Sequence, residues 1–358
     1  MTQQKYTTTQ HDSAKPGENM DSSNDMISMQ QIMEARGRIM DAAHETPMDK
    51  SSTFAEKAGV ESVAFKMENF QKTGAFKIRG AYNKISQLSE EEKERGVIAA
   101  SSGNHAQGVA LAAQELGVDA KIVMPENTAE SKIEATSGYG AEVVLSGQEY
   151  EEAYEKARKL QKEENLTFVH PYNDKNVVAG QGTLGLEMVE QLPELDTVLV
   201  AVGGGGLISG IARAVKARNP DAKVIGVQTE GCGSAKQTLN SDEIYERESV
   251  DTVAKGIATR SIGELPARYL REFVDEVVYV SDEEAEAATA LLAERQKVVV
   301  EPAGAVAAAA LLFQKEHDLG LEDDDVAVPL CGANIDLEEF GEICRRGKSY
   351  LTEVKNQC

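Results

Sequence analysis

From residue 61 onward, short runs rich in β-branched residues alternate with longer amphipathic stretches, and that alternation confines the chain to a small set of folds. Strands are expected at 63–67, 97–100, 121–124, 142–145, 167–169, 197–202, 223–227, 276–280 and 326–330. Helices are expected between them at 107–116, 150–163, 184–192, 208–217, 283–296 and 303–316. This spacing builds mainly parallel sheet, because a parallel neighbour is reached only by a long crossover that usually contains a helix. Ligands of such sheets bind at the carboxyl ends of strands, where loops lead into helix N-termini. No internal repeat is present, and the acidic runs 90–94, 149–152 and 322–325 read as solvated helix faces and turns.

With 358 residues, 41% of them apolar, the chain can bury a substantial core in about two domains. Sixty acidic against 37 basic residues leave a formal net charge of −23, which would repel a phosphate backbone and so argues against a nucleic-acid partner. A small anionic ligand answers to the local field instead, so the acidity is read as a property of the outer surface. Residues 1–26 lack a basic stretch followed by an apolar one and read as a polar, disordered tail rather than a signal peptide. The longest apolar run, 303–313, contains Gly304 and is too short to span a bilayer. Cys232, Cys331, Cys344 and Cys358 show no metal-ligand or redox spacing, so reduced thiols and a cytoplasmic protein without membrane association are expected.

Four segments carry candidate chemistry. Val198-Leu-Val-Ala-Val202 runs directly into Gly203, Gly204, Gly205 and Gly206, followed by the helical pattern Leu207-Ile-Ser-Gly-Ile-Ala-Arg213. A strand that ends in four glycines and restarts as a helix leaves several backbone N–H groups free, and the helix dipole favours a phosphate there. A flexible turn would need fewer glycines. Ser209 stands where a dinucleotide fingerprint needs its last glycine, and no Gly-Lys-Ser/Thr follows, so neither a Rossmann nor a P-loop motif is present.

In Gln71-Lys-Thr-Gly-Ala-Phe-Lys-Ile-Arg-Gly-Ala81, Lys77 sits between Phe76 and Ile78. A lysine in apolar surroundings loses its proton more easily, as a nucleophilic amine must. The plainer alternative is a side chain that snorkels to water. Val97-Ile-Ala-Ala-Ser-Ser-Gly-Asn-His-Ala-Gln-Gly108 is a strand, a polar turn and a helix start; Ser101, Ser102 and Asn104 with the free N–H groups could hold a carboxylate or a ring oxygen. A helix cap would need only one of them. His105 has no carboxylate partner in sequence and is expected to pack. Val328-Pro-Leu-Cys-Gly-Ala-Asn-Ile-Asp336 ends the last strand, and Cys331 alone reads as a small buried hydrophobe.

Taken together, these segments resemble the pyridoxal-phosphate enzymes of the tryptophan synthase β fold (fold type II), in particular the threonine ammonia-lyases, also called threonine or serine/threonine dehydratases. The resemblance spans residues 30–350 with the motifs in order, including His170-Pro-Tyr-Asn-Asp174, Ala179-Gly-Gln-Gly-Thr-Leu-Gly-Leu-Glu187 and Glu301-Pro-Ala-Gly-Ala305. It implies an α/β architecture of two mainly parallel-sheet αβα domains with pyridoxal 5'-phosphate in the cleft. The large domain would take 27–90 and 171–355, with a small domain, 91–170, inserted between. The resemblance also implies roles. Lys77 would bind the cofactor as a Schiff base and then act as the base on the substrate's α-proton. Phe76 would pack on the ring and Asn104 would bond its phenolic oxygen. Gly203, Gly204, Gly205, Gly206 and Leu207 would grip the phosphate. Ser101, Ser102, Asn104 and His105 would receive the substrate carboxylate, and Cys331 would stand where the family commonly places Ser opposite the pyridine nitrogen.

A neutral partner does not hold that nitrogen protonated, which weakens the ring as an electron sink and favours prompt β-elimination over transamination. The implied reaction takes L-threonine to 2-oxobutanoate and ammonia, and L-serine to pyruvate and ammonia, in isoleucine biosynthesis or threonine catabolism. A homo-oligomer, dimer or tetramer, is expected. The rival activities are serine racemase and 3-hydroxyaspartate ammonia-lyase; the rival of another class is a catalytically silent binding protein. Gln228 and Ser234 align with the carboxylates that hold a divalent metal in related racemases, so no metal is expected. Ser102 aligns with the racemases' second base but is also common in the lyases. Because the sequence ends soon after its last strand, the appended regulatory domain of many biosynthetic members is not expected here.

Overall fold

The computed structural model describes residues 26–357, so apart from Met26 the expected tail lies outside the described residues, as does Cys358. Ten strands are present among the described residues: β1 Met48–Lys50, β2 Ser62–Lys66, β3 Val97–Ala100, β4 Ala120–Met124, β5 Glu142–Leu145, β6 Thr167–Phe168, β7 Thr197–Ala201, β8 Lys223–Thr229, β9 Glu276–Val280 and β10 Asp325–Pro329. They form a six-stranded sheet, ordered β1-β2-β10-β7-β8-β9, and a four-stranded sheet, ordered β5-β4-β3-β6. Every pairing is parallel except that of β1 with β2. The helices are α1 Met29–Ile39, α2 Ser52–Ala58, α3 Lys77–Ile85, α4 Glu90–Arg95, α5 Asn104–Leu116, α6 Glu130–Gly138, α7 Tyr150–Glu164, α8 Lys175–Gln191, α9 Gly206–Arg218, α10 Ala235–Leu239, α11 Glu264–Phe273, α12 Asp282–Leu291, α13 Pro302–Leu312 and α14 Leu337–Gln357. Among the described residues no helix is long and apolar enough to cross a membrane.

The central strands β3 and β7 bury both faces, as parallel sheets do, while the edge strands β1 and β5 stay partly exposed. In β3, Val97 and Ala99 join the core beneath α3 and α5, while Ile98 and Ala100 join the smaller cluster against Ala153 and Ala157 of α7. Alternate residues of one short strand thus serve two cores. In the larger sheet, α13 is apolar on all sides, buried almost throughout, and packed on β7, β8, β9 and β10.

The strands fall within two residues of the sequence expectation, with the three-residue β1 not foreseen. The helices depart further. Helix α8 was expected at 184–192 but begins at Lys175, where the Asp174 side chain accepts from Asn176 N and Val177 N. Gly180, Gly182 and Gly185 argue against helix on propensity, yet each is a point of close approach. A Cβ on Gly180 would lie 2.5 Å from Arg79 O in α3, and one on Gly185 would lie 2.9 Å from Ile211 Cα in α9. The packing of α8 between α3 and α9 outweighs the intrinsic cost. The expected helix 283–296 closes as a π-helical turn, Leu292–Gln296, after α12.

A buried ionic network joins β2, α3 and α8. Arg79 donates to Glu68 from Nε and Nη2 at 2.8 Å each, and to Glu187 from Nη1 at 2.5 Å and Nη2 at 2.8 Å. Its fifth N–H, on Nη1, meets Thr183 Oγ1, and the His44 carbonyl shares an Nη2 hydrogen. Lys66 Nζ lies 2.6 Å from Glu187 and donates to Thr46 O and Gln191 Oε1, while Thr46 Oγ1 donates to Glu68. Two cations and two carboxylates balance. Burial alone would raise the Glu68 pKa, but the Arg79 guanidinium, with Thr46 and Lys66, holds it below the carboxylate range. For Lys66 desolvation prevails and lowers the pKa against the pull of Glu187. Arg79→Met would strand two buried carboxylates against one lysine and should cost about 3–5 kcal/mol of unfolding free energy by denaturant titration. Arg36→Met, which breaks a surface pair with Glu190, should cost less than about 1 kcal/mol. Similar losses in the two variants would refute the weight given to the network.

Candidate active site

The candidate residues gather at the carboxyl ends of parallel strands. Strand β7 leads into Gly203–Gly206, and Gly205 takes φ +93° immediately before α9, a conformation that suits only glycine without strain. The helix's first own hydrogen bond runs from Ser209 N to Gly205 O at 3.1 Å, so the N–H groups of Gly206, Leu207 and Ile208 stand outside its ladder. The turn has no space for side chains. A Cβ on Gly204 would overlap the Tyr172 ring, one on Gly205 would lie 2.7 Å from Pro266, and one on Gly206 would lie 2.8 Å from Tyr172 Cα. A bare turn aimed along a helix axis fits a phosphate group.

Lys77 opens α3, directly after Phe76, and its Nζ lies 5.1 Å from the centre of that ring. Nζ donates to the Pro171 carbonyl at 3.2 Å. Desolvation of the amine lowers its pKa to about 8, against the weaker opposing pull of Cys331 and Glu301. The Lys77 segment is clasped to the end of β10: Phe76 N donates to Cys331 O at 3.2 Å, and Ala75 bridges Gly332. Burial holds the Cys331 thiol neutral, far above its ordinary pKa, and its Sγ lies 3.4 Å from Pro329 O.

Asn104 begins α5, at the end of β3. Its Nδ2 donates to Glu301 Oε1 at 2.5 Å, and its Oδ1 accepts from Asn334 Nδ2 at 2.7 Å. Burial raises the Glu301 pKa, an effect the Asn104 hydrogen bond partly offsets. On the same turn Ser101 Oγ accepts from Gly103 N at 3.2 Å, while the Ser102 hydroxyl has no protein partner among the described residues.

Two histidines flank the cleft and both are neutral. His105 Nε2 donates to the Val169 carbonyl at 2.8 Å, and burial, reinforced by Lys77, lowers its pKa to about 3. Its ring is thus committed to the small sheet, and only its backbone remains at the turn. His170 Nδ1 accepts from Tyr172 N at 3.2 Å and Asn173 N at 2.9 Å, which places the proton of the neutral ring on Nε2. Burial lowers its pKa to about 4. The Tyr172 ring, edge-on to His170 at 4.6 Å, lies against the glycine turn. The segment 170–172 therefore connects Lys77, through Pro171, to the turn, through Tyr172.

Lys77, Phe76, Asn104 and Cys331 thus share one clasp, with Gly203–Leu207 joined to it through Pro171 and Tyr172. Glu301, Asn334 and Tyr172 were not singled out from the sequence. Glu301 stands before Pro302 and reads only as a helix start, and nothing in its spacing marks a partner 197 positions away. Gln228 Oε1 accepts from Ser234 N at 2.9 Å and Ala235 N at 2.7 Å, a structural use of its amide. Among the described residues no group of three or more His, Cys, Asp or Glu is placed to hold a metal ion.

The Lys77 assignment makes a pH prediction. Acylation of Lys77 in the cofactor-free protein by a small amine reagent, followed by peptide mass spectrometry, should rise through about pH 8 and then level off. A rate still climbing above pH 10, as for an exposed lysine, would refute the lowered pKa.

Comparison with known proteins agrees with this geometry. Residues 39–332 match the family model described as "Pyridoxal-phosphate dependent enzyme". The chain is 48% identical over 322 residues to an L-threonine ammonia-lyase of Thermotoga maritima, covering 90% of this chain and 79% of that protein. The processed form of threonine deaminase isoform 2 from Solanum lycopersicum superposes with a TM-score of 0.83 at 35% identity, over 90% of this chain and 94% of that one. Maize serine racemase gives 0.81 at 38% identity, over 88% and 97%. A desolvated lysine amine and a bare glycine turn at a helix N-terminus, within a family match spanning most of the chain, make this protein a member of the pyridoxal-phosphate dependent enzymes.

Proposed function

We propose that the protein is a threonine ammonia-lyase that converts L-threonine to 2-oxobutanoate and ammonia, and L-serine to pyruvate and ammonia. The observation that carries the reading is the Lys77 amine, lodged between Pro171 and the Cys331 clasp, in a chain 48% identical to an L-threonine ammonia-lyase. Pyridoxal phosphate, when bound, supplies the electron-withdrawing ring that stabilises charge at the substrate's α-carbon.

The chain's own residues do the rest. Lys77 Nζ would hold the cofactor and serve as the base for the α-proton; a pKa of about 8 leaves a useful share of the free amine unprotonated near neutrality. The N–H groups from Gly203 to Leu207 would hold the phosphate at the positive end of α9, and Phe76 would pack on the ring. Asn104 would donate to the ring oxygen. The turn from Ser101 to His105 offers N–H groups and the Ser102 hydroxyl to the substrate carboxylate, with His105 contributing through its backbone. Cys331 would offer the ring nitrogen a neutral thiol, a partner that would not hold that nitrogen charged and would favour elimination over transamination.

The reading includes a division into a large part, 27–90 and 171–355, and a small part, 91–170, whose closure would exclude water. The confinement of β3 to β6 within 97–168 supports it. It also includes a cytoplasmic homo-oligomer, dimer or tetramer, serving isoleucine biosynthesis or threonine breakdown. Serine racemisation is the second reading, supported by the unpartnered Ser102 hydroxyl and the likeness to maize serine racemase.

Purified protein incubated with pyridoxal phosphate should gain a visible band, and borohydride should fix the label on Lys77. Lys77→Ala should cut 2-oxobutanoate formation from L-threonine by at least about a thousandfold while cofactor still binds, and a near-normal rate would refute the role. D-serine outpacing pyruvate from L-serine would favour the racemase.

A further inference from the structure

The hydrogen bonds around Asn104 fix which end of its amide faces the cleft. The chain of constraint starts at a backbone carbonyl. Thr73 O can only accept, and Asn334 Nδ2 lies 2.7 Å from it, so that atom is the amide nitrogen. The same nitrogen lies 2.7 Å from Asn104 Oδ1, and its two hydrogens are thereby both used. An atom facing a donor must accept, so the Asn104 atom on this side is its oxygen. Its nitrogen therefore lies on the other side, where it donates to Glu301 Oε1 at 2.5 Å. A flipped Asn104 would set NH2 against NH2 at Asn334 and oxygen against the Glu301 carboxyl. Asn334, fixed as a donor by Thr73 O, rejects the flip whatever the charge on Glu301, and an ionised Glu301 rejects it as well.

The backbone keeps the relay in place. Gly74 takes φ +69°, and a Cβ there would lie 2.9 Å from Asn334 Oδ1. A Cβ on Gly332 would overlap Glu301 Oε1 and lie 3.0 Å from Asn104 Nδ2. Ala333 N donates to Gly74 O at 2.8 Å and Glu301 N to Gly332 O at 2.9 Å, so Asn334 and Glu301 are both tied to the loop that follows β10. Glu301 takes one hydrogen of the Asn104 NH2 group, and the second has no protein acceptor among the described residues.

We infer that Asn334, together with Glu301, is a positioning residue that locks the Asn104 amide with its nitrogen toward the cofactor ring, so that the ring oxygen always meets a donor. The inference rests on the reading of Asn104 as the ring-oxygen contact. Asn334 itself need not touch cofactor or substrate. A donor held at the phenolic oxygen stabilises its ionised form, which should be visible in both cofactor affinity and absorption.

The test is a double-mutant cycle on holoenzyme and on protein stripped of and titrated with pyridoxal phosphate. Asn334→Asp keeps the size of the side chain but replaces its donors with acceptors, so Asn104 should turn its nitrogen toward position 334 and its oxygen toward the ring. Asn334→Asp and Asn104→Ala should each weaken pyridoxal-phosphate binding about tenfold, the loss of one good hydrogen bond, and shift absorbance from the visible band toward the near-ultraviolet. Asn104→Ala/Asn334→Asp should be no worse than Asn104→Ala alone. If Asn334→Asp does not fold, Asn334→Ala, which frees the amide to flip without adding charge, carries the same cycle. Unchanged affinity and spectrum in the Asn334 variants would overturn the inference, as would losses that multiply in the double variant, since those would mark Asn334 as a loop clasp only. A silent Asn104→Ala would overturn the ring-oxygen reading itself and the inference with it.

Discussion

The arrangement of the cleft depends on the buried ion network around Arg79. Lys77 is the first residue of α3, and Arg79 follows within the same turn. By gripping Glu68 after β2 and Glu187 in α8, Arg79 fixes where α3 begins and hence where the Lys77 side chain emerges. Buried ion pairs are poor sources of net stability because desolvation offsets their attraction. What such a network supplies is exclusivity. A shifted α3 would leave carboxylates unpaired in the core, so competing packings are penalised more than the native one is favoured. The close glycine contacts between α3 and α8 act in the same direction, since neither helix can slide without backbone meeting backbone.

Around the anchored lysine, proton chemistry is simplified. His105 and His170, with pKa values of about 3 and 4, stay neutral across the physiological range. Burial keeps the Cys331 thiol protonated. The amine at about 8 is thus poised to exchange a proton near neutrality, and the buried Glu301 carboxyl beside Asn104 is shifted upward toward that range. Desolvation keeps both rings neutral, for His105 against the opposing pull of its hydrogen bond to Val169 O, and their backbone hydrogen bonds tie them to the scaffold. The net charge of −23 does not conflict with an anionic cofactor, because the proposed phosphate site offers backbone N–H groups and a helix dipole whose field is local.

Much of the fold was legible in the sequence. The strands could be read because buried parallel strands are compact β-branched runs, and Val97–Ala100 and Glu276–Val280 appear at the expected bounds. Helix α8 was half missed because its glycines speak against helix locally and for helix only when α3 and α9 are present to fill the space they leave. The glycine turn, Lys77, Phe76, Asn104 and Cys331 were nameable from local pattern and family likeness. Glu301, Asn334 and Tyr172 were not, because each acts on a partner that is near only in the folded chain.

The sequence by itself determined the alternation of strand and helix, the bare turn after Val202 and the lysine in an apolar setting, since these follow from short-range sterics and side-chain polarity. The tertiary structure decided the lowered pKa of that lysine, the neutrality of the histidines and the direction of the Asn104 amide. Those properties depend on desolvation and on hydrogen-bond partners from several strand ends, and neither exists until the chain has closed.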